Sequence, residues 1–185
     1  MARVGVLAVQ GAFIEHENAL RELGHECVEL RQRADIRNLD ALVLPGGEST
    51  VQGKLLRELE MFDPLRELIV AGLPTLGTCA GLILLATKLD ADPTVHFGTF
   101  PATVRRNAYG RQLGSFHTRA PFGDLGEVDM TFIRAPYIVE AAPEVEILAK
   151  VDGKIVAAQY KNQIRQKLFL SVPAVYWKIF RRTDS

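Results

Sequence analysis

The sequence predicts an α/β fold in which a parallel sheet is covered by helices on both sides. Three observations carry that prediction. The apolar runs 4–9, Ala41–Leu44 and 73–77 are continuous, the pattern of strands buried on both faces. Amphipathic stretches with helical spacing alternate with them. The first run is broken by Gln10-Gly11 and the second by Pro45-Gly46-Gly47, so the strands end at turns rather than fading out.

Taken in order, residues 4–9 form the first strand and 15–23 a helix that ends near Gly24. Glu26–Leu30 is a second strand and Ala41–Leu44 a third. Residues 49–59 are helical, with Leu55, Leu56 and Leu59 on one face. A helix over 64–71 ends at Gly72, a fourth strand covers 73–77, and a further helix runs through Lys88. From 94 to 137 the texture changes, with strands expected at 99–104 and 130–133. Val145–Val151 and 154–159 are joined by Asp152-Gly153, a strong hairpin signal. The second half therefore reads as mixed or antiparallel. No repeat, low-complexity segment or linker interrupts residues 1–185, which are expected to form one domain.

The chain has 185 residues, 48% apolar and 24% charged, the balance of a globular protein with a sizeable core. Lys plus Arg equals Asp plus Glu at 22 each, which argues against a nucleic-acid or membrane-surface role driven by net charge. No apolar run approaches a membrane span, and the first residues lack the features of an export signal. The two cysteines, Cys27 and Cys79, are expected to be free thiols in a reducing cytoplasm. There is no metal-spaced His/Cys cluster.

Gly77-Thr78-Cys79-Ala80-Gly81 has the form G-x-C-x-G between a strand and a helix, the thiol version of a nucleophile elbow. A sharp strand-to-helix turn strains the nucleophile's backbone, so its neighbours must be small. The side chain then projects from the carboxyl edge of the sheet, where open α/β sheets bind ligands. The Ala80 amide, at the start of the helix, is aimed at the same spot and can stabilise an oxyanion. The competing reading is a cysteine packed as a small hydrophobe, and it holds more strongly for Cys27. Pro45-Gly46-Gly47-Glu48-Ser49-Thr50 offers a second place where backbone can approach a ligand closely. It also serves as a turn, with Ser49 or Thr50 as the helix cap.

Five segments occur in register: 7–13 (LAVQGAF), 45–50 (PGGEST), 77–81 (GTCAG), 106–112 (RNAYGRQ) and 132–136 (FIRAP). Together they resemble the glutaminase subunits of pyridoxal 5′-phosphate synthases, a family of class I, triad-type glutamine amidotransferases. The resemblance runs from about Arg3 to Ile164. It implies a flavodoxin-like three-layer α/β/α sandwich with a mostly parallel central sheet. It also implies that Cys79 attacks the side-chain amide of L-glutamine, that the thioester is hydrolysed to glutamate, and that ammonia passes to a separate synthase subunit. Carried over, the Gly47 and Ala80 amides form the oxyanion hole. Gly46, Gly47, Glu48, Arg106, Ile133 and Arg134 contact the substrate. Pyridoxal phosphate is then the complex's product, so no bound cofactor is implied. Without the resemblance, Arg105, Arg106 and Arg111 read as a solvated basic face. A protease-like hydrolase of the same fold fits less well, because Glu48 and Arg106 suit an amino-acid substrate.

The pattern fails at the base. The family places a His-Pro-Glu motif late in the chain, where histidine takes the thiol proton and glutamate orients the ring. The histidines here are His16, His25, His96 and His117, and none is followed by Pro-Glu. Residues 165–182 do not align with the family and contain no His, Asp or Glu. An unassisted cysteine is only a few per cent thiolate near neutrality. A helix N-terminus contributes about 0.3–1 kcal/mol, under one pKa unit. Loss of a triad base costs on the order of a million-fold in a serine enzyme, so the helix cannot replace it. Three accounts fit: a frame slip after Ile164, a natural non-catalytic partner of the synthase, or a substitute base at His117 or His96. The gene sequence separates the first from the others, since a slip requires a neighbouring frame that encodes His-Pro-Glu or a close relative. Residues 168–180 are apolar and aromatic and form a sticky surface wherever they are not packed. The chain is expected to self-associate more than a relative with the usual ending, as light scattering of both at matched concentration would show.

Overall fold

The computed structural model describes residues 1–106, 116–132, 136–160 and 168–169. Five strands make a wholly parallel sheet: β1 (Arg3–Leu7), β2 (Glu26–Leu30), β3 (Ala41–Leu44), β4 (Thr75–Gly77) and β12 (Leu168–Phe169). Their order is β12-β4-β3-β1-β2. The chain steps from β1 to β2 on one side and returns to place β3 on the other. The winding therefore reverses between β1 and β3, and the crevice at their carboxyl ends is where such sheets bind ligands.

The burial pattern explains why β3 and all of β1 after Arg3 are apolar, while the edge strand β2 keeps Glu26 and Glu29. On one face Leu42 and Leu44 of β3 pack with Leu56 of α2 (Ser49–Glu58) and with Leu65 and Ile69 of α3 (Phe62–Val70). On the other, Val4, Val6, Val43 and Leu76 pack with Leu20 of α1 (Phe13–Glu22). Alternate residues of one strand thus serve opposite layers, and neither face is free to be polar.

The second half is mixed, as expected. β5 (Ala86–Leu89) runs parallel to β6 (Phe100–Arg105), and β9 (Tyr137–Ala141), β11 (Lys154–Tyr160) and β10 (Val145–Val151) add antiparallel neighbours in the order β10-β11-β9-β6-β5. Asp152 and Gly153 both have positive φ, 50° and 74°, the backbone that a tight hairpin requires. β7 (Phe116–Pro121) and β8 (Glu127–Phe132) form a separate hairpin. β7 and β9 are absent from the sequence reading, and a second correction concerns α4. This helix covers Ala80–Leu85 and stops there, rather than running through Lys88. Ala86 turns extended, at φ −56° and ψ 139°, because residues 86–89 pair with β6. No helix of the described residues is long and apolar enough to cross a membrane.

The β4–α4 bend is held by two glycines. A Cβ on Gly77 would lie 2.9 Å from the Gly81 carbonyl carbon, and one on Gly81 would lie 2.1 Å from the Leu44 carbonyl oxygen. The helix therefore sits directly on the end of β3. Gly81→Ala is expected to cost at least about 2 kcal/mol in urea unfolding, because backbone must move. Gly24→Ala is expected to cost about 1 kcal/mol, since φ there is +81° but the space is open.

Candidate active site

Cys79 stands at the bend with φ 49° and ψ −102°, a conformation that a non-glycine residue holds only when its surroundings enforce it. The thiol faces the turn that follows β3. A Cβ on Gly46 would lie 3.4 Å from the Cys79 Cβ, and the backbone amides of Ala80 and Gly47 both donate to the sulfur. Burial nonetheless raises the thiol pKa, the two amides oppose it, and the Glu48 carboxylate raises it further. Desolvation wins, so Cys79 is a protonated thiol at neutral pH. Cys27 is also a free thiol, and its sulfur lies 3.7 Å from the Glu17 carbonyl oxygen.

Glu48, rather than Ser49 or Thr50, is the cap of α2, and its carboxylate accepts from the Thr50 amide at 3.3 Å. The first turn of α2 also meets Arg106, whose Nη1 lies 3.3 Å from the Thr50 hydroxyl and 3.5 Å from Asp92 Oδ2. Nε and Nη2 of Arg106 are buried without a hydrogen-bond partner. The fold thus gathers Gly46, Gly47, Glu48, Cys79, Ala80 and Arg106 around the carboxyl ends of β3 and β4 and the start of α2. Ile133 and Arg134 lie outside the described residues.

The histidines are dispersed. His25 accepts from the Ala2 amide at 3.3 Å, at the start of β1 and β2. His96 is 8% exposed, rests on Gly53 of α2, and has Arg57, Arg106 and Asp92 as its charged neighbours. The His117 side chain falls outside the description. His16 on α1 shares a hydrogen bond with the Thr78 hydroxyl at 3.1 Å, one residue before Cys79.

Residues that the sequence reading missed brace the site. Gln10 accepts from the Glu48 amide at 2.9 Å, and Gln52 donates to Gln10 O at 2.9 Å and to Pro45 O at 3.3 Å. Gln10 lies within a recognised motif, and helical spacing alone does not single out Gln52 or His16.

The sequence profile of the SNO glutamine amidotransferase family matches residues 6–171. The chain belongs to that family. The profile continues past Ile164, where the resemblance read from the motifs stops, and ends at residue 171. A relative from Desulfitobacterium hafniense (strain DSM 10664 / DCB-2), named pyridoxal 5′-phosphate synthase subunit PdxT, is 68% identical over 163 residues, 88% of this chain and 82% of that one. A PdxT from Streptococcus pneumoniae (strain CGSP14) is 54% identical over 166 residues, 88% of this chain and 86% of the relative. A crystal structure titled glutamine amidotransferase superposes with a TM-score of 0.89 at 36% identity, covering 98% of this chain and 99% of that one. The fold is accordingly the flavodoxin-like α/β fold of class I glutamine amidotransferases, and the chain is of the glutaminase class.

Within this SNO-family site, burial lowers the His16 pKa to about 4, partly offset by Glu15. The unfolded chain takes up a proton on His16 as pH falls through 6.5, while the folded chain does so only near 4. Between those values acid favours unfolding. His16→Gln is therefore expected to remove up to about 2 kcal/mol of the stability lost between pH 6.5 and 5, as urea unfolding at both pH values would measure.

Proposed function

We propose that this chain is a glutamine-binding glutaminase subunit of a pyridoxal 5′-phosphate synthase whose own chemistry is slow because its thiol lacks a base. The observation that carries the reading is the pair of amides, Gly47 and Ala80, converging on the Cys79 sulfur. Donors fixed there meet the oxygen of a carboxamide as its carbon bonds to sulfur, and they stabilise the charge that develops. Gly46 and Gly47 leave room for the substrate backbone, with Glu48 beside them. The paired Nε and Nη2 edge of Arg106 suits the α-carboxylate of an amino acid. Ile133 and Arg134 complete the contact set that the family resemblance implies.

The chemistry follows from these groups. Sulfur adds to the amide carbon, the thiol proton is carried by solvent to the amide nitrogen, and the C–N bond breaks to release ammonia as the thioester forms. Water then releases glutamate. The ammonia passes to a synthase subunit for vitamin B6 biosynthesis, as the family resemblance implies; the PdxT relatives are named as subunits of a pyridoxal 5′-phosphate synthase. The reaction as proposed calls on no bound cofactor, and we assign it to the cytoplasm. The first step is the difficult one, because burial holds the thiol protonated and the sequence contains no His-Pro-Glu. The second reading, a non-catalytic glutamine-binding or regulatory partner of the synthase, rests on that same absence.

A chloroketone analogue of L-glutamine is expected to label Cys79 in preference to Cys27, and excess L-glutamine is expected to protect it. Ammonia release is expected to fall about a thousand-fold or more below that of a His-Pro-Glu relative, with or without the synthase subunit. Absence of protection would remove the glutamine site. Ammonia at the relative's rate would show that a base is present.

A further inference from the structure

Gln52 is fully buried on α2, and nothing in the proposed chemistry uses it. Burying a carboxamide is costly unless its hydrogen bonds are made. Here the amine end is satisfied by two backbone carbonyls, Gln10 O at 2.9 Å and Pro45 O at 3.3 Å. Carbonyl oxygens only accept, so the amine must be the end facing them. The other end, Oε1, is buried without a hydrogen-bond partner. A residue that tolerates an orphaned acceptor to keep two donors is serving those donors.

The two carbonyls belong to the turns after β1 and β3, and the second of these turns carries Gly47. The Gly46–Gly47 peptide, which carries the Gly47 N–H, is tied down through its own carbonyl, and the next peptide through its N–H. The Gly46 carbonyl accepts from the Ala12 amide at 2.9 Å, and the Glu48 amide donates to Gln10 Oε1 at 2.9 Å. The side of Gly47 where a side chain would stand is closed. A Cβ there would lie 2.5 Å from Gln10 Oε1 and 2.9 Å from Gln52 Nε2. With its own peptide held by Ala12, the Pro45–Gly46 peptide before it held by Gln52 and the one after it by Gln10, the Gly47 amide faces the Cys79 sulfur.

We infer that Gln52 is a positioning residue for the oxyanion hole: its amine staples the 10–11 turn to the 45–47 turn and so holds the Gly47 amide on the Cys79 sulfur. The inference rests on the proposed roles of Gly47 and Cys79, but its test does not require turnover. An amide that donates to sulfur favours the thiolate, so losing it shifts the thiol titration upward.

The test is the pH profile of Cys79 alkylation by iodoacetamide in the full chain, with Cys79 and Cys27 peptides quantified separately by mass spectrometry. Gln52→Met keeps the length and removes the donors, and Gln52→Leu serves if the first variant does not fold. Lys54→Ala, on the exposed side of the same helix, is the control. Alkylation of Cys79 below its pKa is expected to slow roughly threefold to tenfold in either Gln52 variant, with the rising limb displaced to higher pH. The high-pH limiting rate, the Cys27 rate and the control profile are expected to stay unchanged. A folded Gln52 variant whose Cys79 profile overlays the wild type overturns the inference. So does a change confined to the limiting rate, which would report access to the thiol rather than the position of the amide. Iodoacetamide needs no glutamine site, so this outcome is independent of the chloroketone result.

Discussion

The close approach of the turn after β3 to the bend after β4 is the constraint on which the rest of the site depends. It exists because Gly81 lets α4 sit against the Leu44 carbonyl, and because Gly77 leaves space for that helix. A Cβ on Gly46 would meet the Cys79 Cβ at contact distance, and the 46–47 backbone turns its amide to the sulfur. The strained φ of Cys79 follows from the same geometry, since only a bend this tight brings the side chain out between the two turns. The β1/β3 reversal, where open α/β sheets bind ligands, lies one strand away from the end of β4 that carries Cys79.

That geometry separates two tasks that are easily conflated. Amides aimed at a sulfur could in principle activate it, but here burial outweighs them and Glu48 adds to the same side. α4 has six residues, so its macrodipole adds little beyond the Ala80 amide itself. In the proposed reaction the donors serve an anion that appears after attack, on the substrate oxygen, rather than making the thiolate beforehand. A separate base has to take the proton. The family resemblance implies a His-Pro-Glu motif for that task, and the sequence contains none.

How much of this was legible in the sequence depends on the range of the interaction. The central parallel strands could be read directly, because burial on two faces leaves an unbroken apolar run; Ala41–Leu44 has the expected bounds, and so does the edge strand Glu26–Leu30 despite its two glutamates. The Asp152-Gly153 hairpin was equally local. The end of α4 was not, since Ile83-Leu84-Leu85-Ala86-Thr87 carries no breaker and the turn to strand is imposed by β6. β7 and β9 were missed because their partners lie across loops and Pro121 and Pro136 blur their ends. At the site, motif spacing pointed to Cys79 and the glycines. The brace from Gln52 to Gln10 spans 42 positions and depends on which face of α2 is buried, which spacing does not convey. The His16–Thr78 bond, 62 positions apart, is hidden for the same reason.

The most direct measurement is the titration of the Cys79 thiol in the unmodified chain, followed by 13C NMR of cysteine labelled at Cβ. A buried thiol with amide donors but no base is predicted to remain protonated at neutrality and to titrate above the ordinary value of 9.0. A thiolate already formed by pH 7 would contradict the account, since it would require a cationic partner at the sulfur.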